Sequence, residues 1–165
     1  MMQNSQQRAW VMLPIRLILF AGLQALLALA FFLVGKTNAW DLSTNWWPLV
    51  VFFANMVCLF LLIRFYKAEG DRFWNIFKFQ RDTVGKDLLA LLGFLIVAGP
   101  IGFLPNIMLG NLLFGDMSIA TEMFLRPLPM WAVIASILLF PATQGLVEIP
   151  TYMMYVMPRI EKGGA

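Results

Sequence analysis

The chain has 165 residues, of which 61% are hydrophobic and 13% charged, with a mean hydropathy of +0.77. That balance excludes an ordinary water-soluble domain, because a chain of this size cannot bury so much apolar surface and lipid must cover the rest. The net charge is +3, there is no histidine, and the one cysteine is Cys58. The basic residues flank apolar runs and do not form a stripe for nucleic acid. An intrachain disulfide and a histidine-based metal or acid–base centre are excluded outright, and no cofactor is indicated.

A bilayer span needs about 20 apolar residues, and four segments qualify. The first is 13–34, LPIRLILFAGLQALLALAFFLV. Arg16 stands near its start, where a long side chain is expected to snorkel to the headgroups. Gln24 lies inside, on a face with Ala21, Ala25 and Ala28, and is expected to bond to a neighbouring helix. Thr37 and Ala39 loosely resemble a signal-peptide cleavage site, but the apolar run is too long and further spans follow.

The second segment is 46–65, opened by Trp46 and Trp47 at one interface and closed by Arg64 at the other. Asn55 and Cys58 share a face at i,i+3, so Asn55 is a second expected interhelical hydrogen-bonding group. The third, 88–109, carries Gly99, Pro100, Gly102 and Pro105 in its second half. Prolines remove backbone donors and predict a kinked helix there. The fourth, 129–147, has a stripe of Ala132, Ala135, Ser136, Ala142 and Thr143 suited to tight packing, with Pro141 inside it and Pro150 soon after.

The connecting segment 66–87 mixes Phe73, Trp74, Ile76, Phe77 and Phe79 with basic residues. It is expected to lie along the headgroup surface with its rings down. Asp82 or Thr83 is the expected cap of the third helix. With four spans, ten of the twelve lysines and arginines fall on one side, and only Lys36 and Arg126 on the other. The positive-inside rule then places both termini and the 66–87 segment in the cytoplasm, most simply at a plasma membrane. The reading is therefore one all-α transmembrane domain over 1–165, a four-helix bundle with both ends inside.

Glu148 directly follows the fourth segment, near its cytoplasmic end, and is read as the acid near the membrane-embedded parts. Asp41, Glu69, Asp71, Asp82, Asp87, Asp116, Glu122 and Glu161 fall in loops or the tail. A carboxylate at membrane depth is costly unless paired, so Glu148 is the candidate catalytic residue. Gln144, Glu148 and Tyr152 share a face if the helix continues past Pro150.

The segment 145–162, GLVEIPTYMMYVMPRIEK, resembles the first signature of the CPBP family, the CAAX-endopeptidase and bacteriocin-processing intramembrane proteases. Tyr155, Pro158 and Arg159 match its trailing run, Glu148 stands for the first glutamate of its pair, and Tyr152 for its aromatic. The helix layout is similar to the N-terminal half of such a protein. Two positions depart from the pattern: Ile149 replaces the second glutamate and Met153 the arginine. The family's hydrolytic centre also uses histidines from later helices, and this chain has none. A lone carboxylate is a weak base for amide hydrolysis, so activity would need groups from another chain. The resemblance implies a truncated or catalytically degenerate relative that binds a partner membrane protein or a lipidated peptide. The alternative is an unrelated four-helix module, such as a transporter accessory subunit, in which Asn55 and the broken third helix matter more.

Overall fold

A computed structural model of the protein describes residues 2–77, 83–115 and 128–161. Every element among them is helical. Helices α1 (Met2–Leu33), α3 (Trp47–Ala68) and α4 (Val84–Phe114) are long and apolar. So is a continuous helical run made of α5 (Met130–Ile149), a π-helical segment (Pro150–Val156) and α6 (Met157–Glu161). Each of these four is long and apolar enough to cross a membrane. The short α2 (Ala39–Thr44) links α1 to α3. Expectations that rest on Lys78, Phe79, Arg81, Asp82, Asp116, Glu122, Arg126 and Lys162 lie outside the described residues.

The chain divides into two compact units. The first combines the stretch up to Ile76 with the stretch from Pro127, and the second is Phe77–Arg126. In the second unit α4 is one continuous helix with Pro100 and Pro105 inside it. Thr83 stands at its N-cap, with its hydroxyl donating to Asp87 Oδ2 at 2.9 Å.

In the first unit α1 and α3 run antiparallel, since Arg8 of α1 nears Glu69 at the end of α3 while Arg16 reaches back to Asn55. Two glycines make the turns. Gly35 and Gly70 hold φ of 82° and 87°, which a side chain resists. The Lys36 N–H donates to Phe31 O at 3.1 Å and the Gly35 N–H to Phe32 O at 2.9 Å. Asp71 N–H to Tyr66 O (3.0 Å) and Gly70 N–H to Lys67 O (3.2 Å) repeat the pattern at the end of α3. Both are Schellman closures that satisfy the last carbonyls. The second fixes Glu69 as the last residue before the turn. Pro48 at the start of α3 costs no hydrogen bond there.

Many of the buried residues fall in rows with a spacing of four. On α3 one such row is Val50, Ala54, Cys58, Leu62 and Tyr66, with Asn55 beside it; on the last helical run Thr143, Val147, Thr151 and Tyr155 form another. Rows at i,i+4 are the ridges helices interlock when they pack closely. Between lipid-solvated helices there is no water to expel, so this packing and the polar bonds below hold the bundle. At one end Trp46 meets Trp131 (5.7 Å between centroids) and Trp47 meets Phe140 edge-on (5.3 Å).

A four-residue row does not stay on one face of an α-helix. Each step overshoots by about 40° at 3.6 residues per turn, so four steps from Thr143 would carry Arg159 well around the helix. The π segment corrects this. Its wider turn, visible in the bond from Met157 N–H to Tyr152 O, rotates less per residue. Thr151, Tyr155 and Arg159 therefore remain turned toward α1 and α3. The fourth span neither stops at 147 nor ends at Pro150, which sits inside the helix and is itself buried. Proline has no N–H to give to an α-helical ladder, and the π register begins at that residue.

Three expectations change here. Of the first-span face, Gln24 and Ala28 are buried but Ala21 and Ala25 are exposed. Of the fourth-span stripe, Ala132 and Thr143 are buried and Ala142 is exposed. In the connecting segment, residues Phe73–Ile76 form one tight 3-10 turn. Phe73 is buried edge-on against Tyr66 at 5.9 Å, not laid on a headgroup surface, whereas Trp74 is exposed. Phe73 turns inward because the Gly70 reversal returns the chain across the end of α3.

Candidate functional site

The first unit contains two polar networks, and the sequence-predicted residues divide between them. The first is centred on Arg16. Its Nε donates to Asn55 Oδ1 at 3.1 Å and its Nη2 to Gln144 Oε1 at 2.6 Å, and its Nη1 lies 3.1 Å from Glu148 Oε1. All three guanidinium nitrogens are thus engaged. Gln144 Nε2 donates to Glu148 Oε2. Asn55 Nδ2 donates to Gln144 Oε1 (3.3 Å) and Thr143 Oγ1 (3.4 Å), and the Thr143 hydroxyl donates to Leu139 O at 2.8 Å. Asn55 is fully buried.

This network ties α1, α3 and α5 together at mid-length. Asn55 lies about 12 Å along α3 from Trp47, at 1.5 Å per residue, and Glu148 stands well inside the helical run Met130–Glu161. The expectation that Arg16 snorkels outward is overturned. Three acceptors on two other helices outcompete a distant headgroup, and α1 extends too far N-terminal of Arg16 for its side chain to sit at a span edge. Arg16 also drops out of the count of basic residues on one side. Glu148, expected near the end of its span, stands on a helix that continues beyond it through the π segment to Glu161.

The second network is at the end of the unit where α3 terminates. Arg159 Nε and Nη2 both donate to Glu69 Oε2, at 3.0 and 2.5 Å. The Tyr155 hydroxyl donates to Glu69 Oε1 at 2.8 Å. Arg159 Nη1 donates to Tyr155 O at 2.9 Å, while its guanidinium lies 3.8 Å from the Tyr155 ring centroid and 5.1 Å from that of Tyr66. Tyr66 in turn donates to Met154 O at 3.1 Å, and Arg8 Nη1 stands 4.0 Å from Glu69 Oε1. Glu69, read as a loop acid, is a half-buried counterion shared by three helical segments. Tyr155 and Arg159 fasten the last helical run to the end of α3.

The remaining predicted residues fall elsewhere. Gln24 bonds a neighbouring helix as expected, its Nε2 donating to Ser43 Oγ of α2 at 2.8 Å; its Oε1 is buried with no hydrogen-bond partner among the described residues. Tyr152 is half-buried and Pro158 lies in α6. Tyr152 lines a cavity of about 270 Å³ together with Arg16, Leu17, Phe20, Val51 and Ala54. A second cavity, about 590 Å³ and apolar, follows along the same two helices. Its walls include Leu23, Leu27 and Ala30 of α1, Leu49 and Phe53 of α3, and Trp131 of α5. The two have no lining residue in common: the smaller presents a guanidinium and a phenol, and the larger is walled by apolar side chains.

Arg16 and Glu69 are the functional-site residues that sequence reasoning missed. For Arg16 a signal existed: it stands one turn from Met12 and Phe20 and two from Gln24 in an i,i+4 row on α1, so its near neighbours along the helix include the polar Gln24. For Glu69 there was none, because its partner is 90 positions away.

Four apolar helices of spanning length, three of them joined at mid-length by an ionic hydrogen-bond network, define a multi-pass α-helical membrane protein. A scan against protein-family models, a search of curated proteins and a search of solved structures each return no match.

Proposed function

We propose that the chain is a CPBP-like membrane protein that holds a lipidated peptide in the cavities between α1 and α3 without hydrolysing it, both termini lying in the cytoplasm. The observation that carries this reading is the state of Glu148. Each of its carboxylate oxygens has one partner, Arg16 for one and Gln144 for the other. A lone carboxylate is a weak base for amide hydrolysis, and the sequence has no histidine to assist it. The two cavities support a ligand with a polar end and a long apolar tail. Arg16 and Tyr152 offer donors to peptide carbonyls or a terminal carboxylate, and the 590 Å³ cavity offers room for a prenyl or acyl chain.

The test uses the protein reconstituted in neutral lipid vesicles and a fluorescent peptide bearing a C-terminal isoprenoid. Saturable binding is expected, with no cleaved product. Leu27→Trp, which fills the apolar cavity, is expected to weaken binding about tenfold, since overfilling a packed apolar site costs about 1–3 kcal/mol. Cleavage that is lost in Glu148→Gln would instead make the chain a protease. Absence of saturable binding would return it to the class of unrelated helical modules such as transporter accessory subunits.

A further inference from the structure

Arg16 is the only charged residue among those lining the cavity of about 270 Å³, where Leu17, Phe20, Val51 and Ala54 make an otherwise apolar wall beside Tyr152. A guanidinium carries five N–H donors. Asn55 takes the one on Nε, Gln144 one on Nη2 and Glu148 one on Nη1. One donor on each terminal nitrogen is left with no acceptor among the described residues. The Tyr152 hydroxyl likewise has no hydrogen-bond partner among them. The Arg16 side chain is only 15% exposed, and a covered donor without an acceptor is costly. The cavity therefore calls for a ligand that accepts hydrogen bonds.

The charge of that acceptor follows from Glu148. Its Oε1 lies 3.1 Å from Arg16 Nη1, so the cation is already matched, and the cavity is lined by no second one. An entering carboxylate would set two negative charges against one guanidinium between apolar walls. An unmatched charge in such surroundings costs far more than an unfilled hydrogen bond. An ester or amide carbonyl accepts from the same donors through its lone pairs and leaves the balance at zero. We infer that the polar end of the bound peptide is an uncharged carbonyl, and that the cavity discriminates against a free carboxylate. This inference rests on the lipidated-peptide reading and decides between the two acceptors that reading leaves open. Glu148 lines neither cavity; it sets the specificity through Arg16, by cancelling its charge.

The experiment uses the full chain in vesicles of ether-linked phosphatidylcholine, so that the bilayer itself offers no ester carbonyl. The probe is one fluorescent isoprenylated peptide ending in a methyl ester, a primary amide or a free carboxylate, compared at equal membrane-bound concentration and neutral pH. The ester and the amide are expected to bind at least about tenfold more tightly than the carboxylate. Tyr152→Phe is expected to weaken ester binding about fivefold, the size of one hydrogen bond. Glu148→Gln leaves the guanidinium unmatched, and the order is expected to reverse in favour of the carboxylate, which a merely loosened fold would not produce. A carboxylate that binds the parent as tightly as the ester would overturn the inference and leave the lipidated-peptide reading standing. So would an order that Glu148→Gln does not change. Saturable binding of none of the three peptides would overturn both. Binding in ether-linked vesicles that disappears in ester-linked ones would assign the donors to carbonyls of the bilayer lipid, and the peptide assignment would fall.

Discussion

Replacing Arg16 with leucine is expected to destabilise the protein by about 3 kcal/mol, the cost of breaking an internal ion pair by removing one partner. The loss is threefold in kind. Glu148 Oε1 loses its cationic partner, Asn55 Oδ1 loses its donor, and Gln144 Oε1 loses the shorter of its bonds. Because the three acceptors sit on two helices, the packing of α1 against both is weakened together. Arg16→Lys is expected to recover only part of the stability, because one ammonium cannot reach three separate acceptors in the fan that a guanidinium spans. The informative variant is the double replacement of Arg16 and Glu148 by leucine. Removing both charges leaves no uncompensated ion, so the double variant is expected to be no less stable than Arg16→Leu alone. Unfolding in mixed micelles, followed by the fluorescence of the six tryptophans, measures the parent, Arg16→Leu, Arg16→Lys, Glu148→Leu and the double variant. Costs that simply add would show that Arg16 and Glu148 do not act as a pair.

Arg159→Ala is the second large effect, with an expected cost of about 3 kcal/mol. It releases both bonds to Glu69, the contact with the Tyr155 carbonyl and the stacking over the Tyr155 and Tyr66 rings. Unlike the Arg16 cluster, this network stands at a helix end, so the damage should be local. Amide hydrogen exchange over Pro150–Glu161 is expected to rise sharply, while residues of α3 up to Leu62 change little. Glu69→Gln keeps the shape and a carbonyl acceptor but loses the charge, so a smaller effect of about 1–2 kcal/mol is expected. Exchange that is unchanged in Arg159→Ala would mean that the π segment is held by apolar packing alone. Arg159→Lys should resemble the alanine variant in exchange more than the parent, because a lysine cannot lie flat on Tyr155 while bonding both Glu69 and a backbone carbonyl.

The architecture was legible because hydrocarbon solvation leaves a direct mark on composition. Runs of about 20 apolar residues announce spans without any knowledge of their neighbours, and Gln24 and Asn55 announced helix–helix contacts because a polar group in lipid must find a partner. Span ends were less legible. From sequence Pro150 could either end the fourth helix or sit within it; a π register accommodates it and carries the helix to Glu161. The site was half legible. Glu148, Asn55 and Gln144 were each singled out, but the cation that joins them was read as an interfacial anchor, since arginine near the start of an apolar run normally snorkels. The i,i+4 row that holds Arg16 with Gln24 outweighs that habit. Tyr155 and Arg159 were picked out by resemblance to a protease signature, and the structure brings them to Glu69 for a reason the signature does not contain: a Schellman turn at Gly70 delivers a carboxylate to the end of α3.

The measurement that bears most directly on this account is the sidedness of α3 and the burial of the Arg16–Glu148 level, read by cysteine labelling in sealed vesicles with Cys58 replaced by serine. Asp41→Cys and Asp71→Cys flank α3, and Ala142→Cys lies on the exposed face of α5 near Glu148. A membrane-impermeant maleimide is expected to reach Asp71→Cys from the cytoplasmic face only and Asp41→Cys from the opposite face only, and to leave Ala142→Cys unlabelled from either. Labelling of both flanking positions from one face, or aqueous labelling of Ala142→Cys at the same rate as Asp71→Cys, would contradict it.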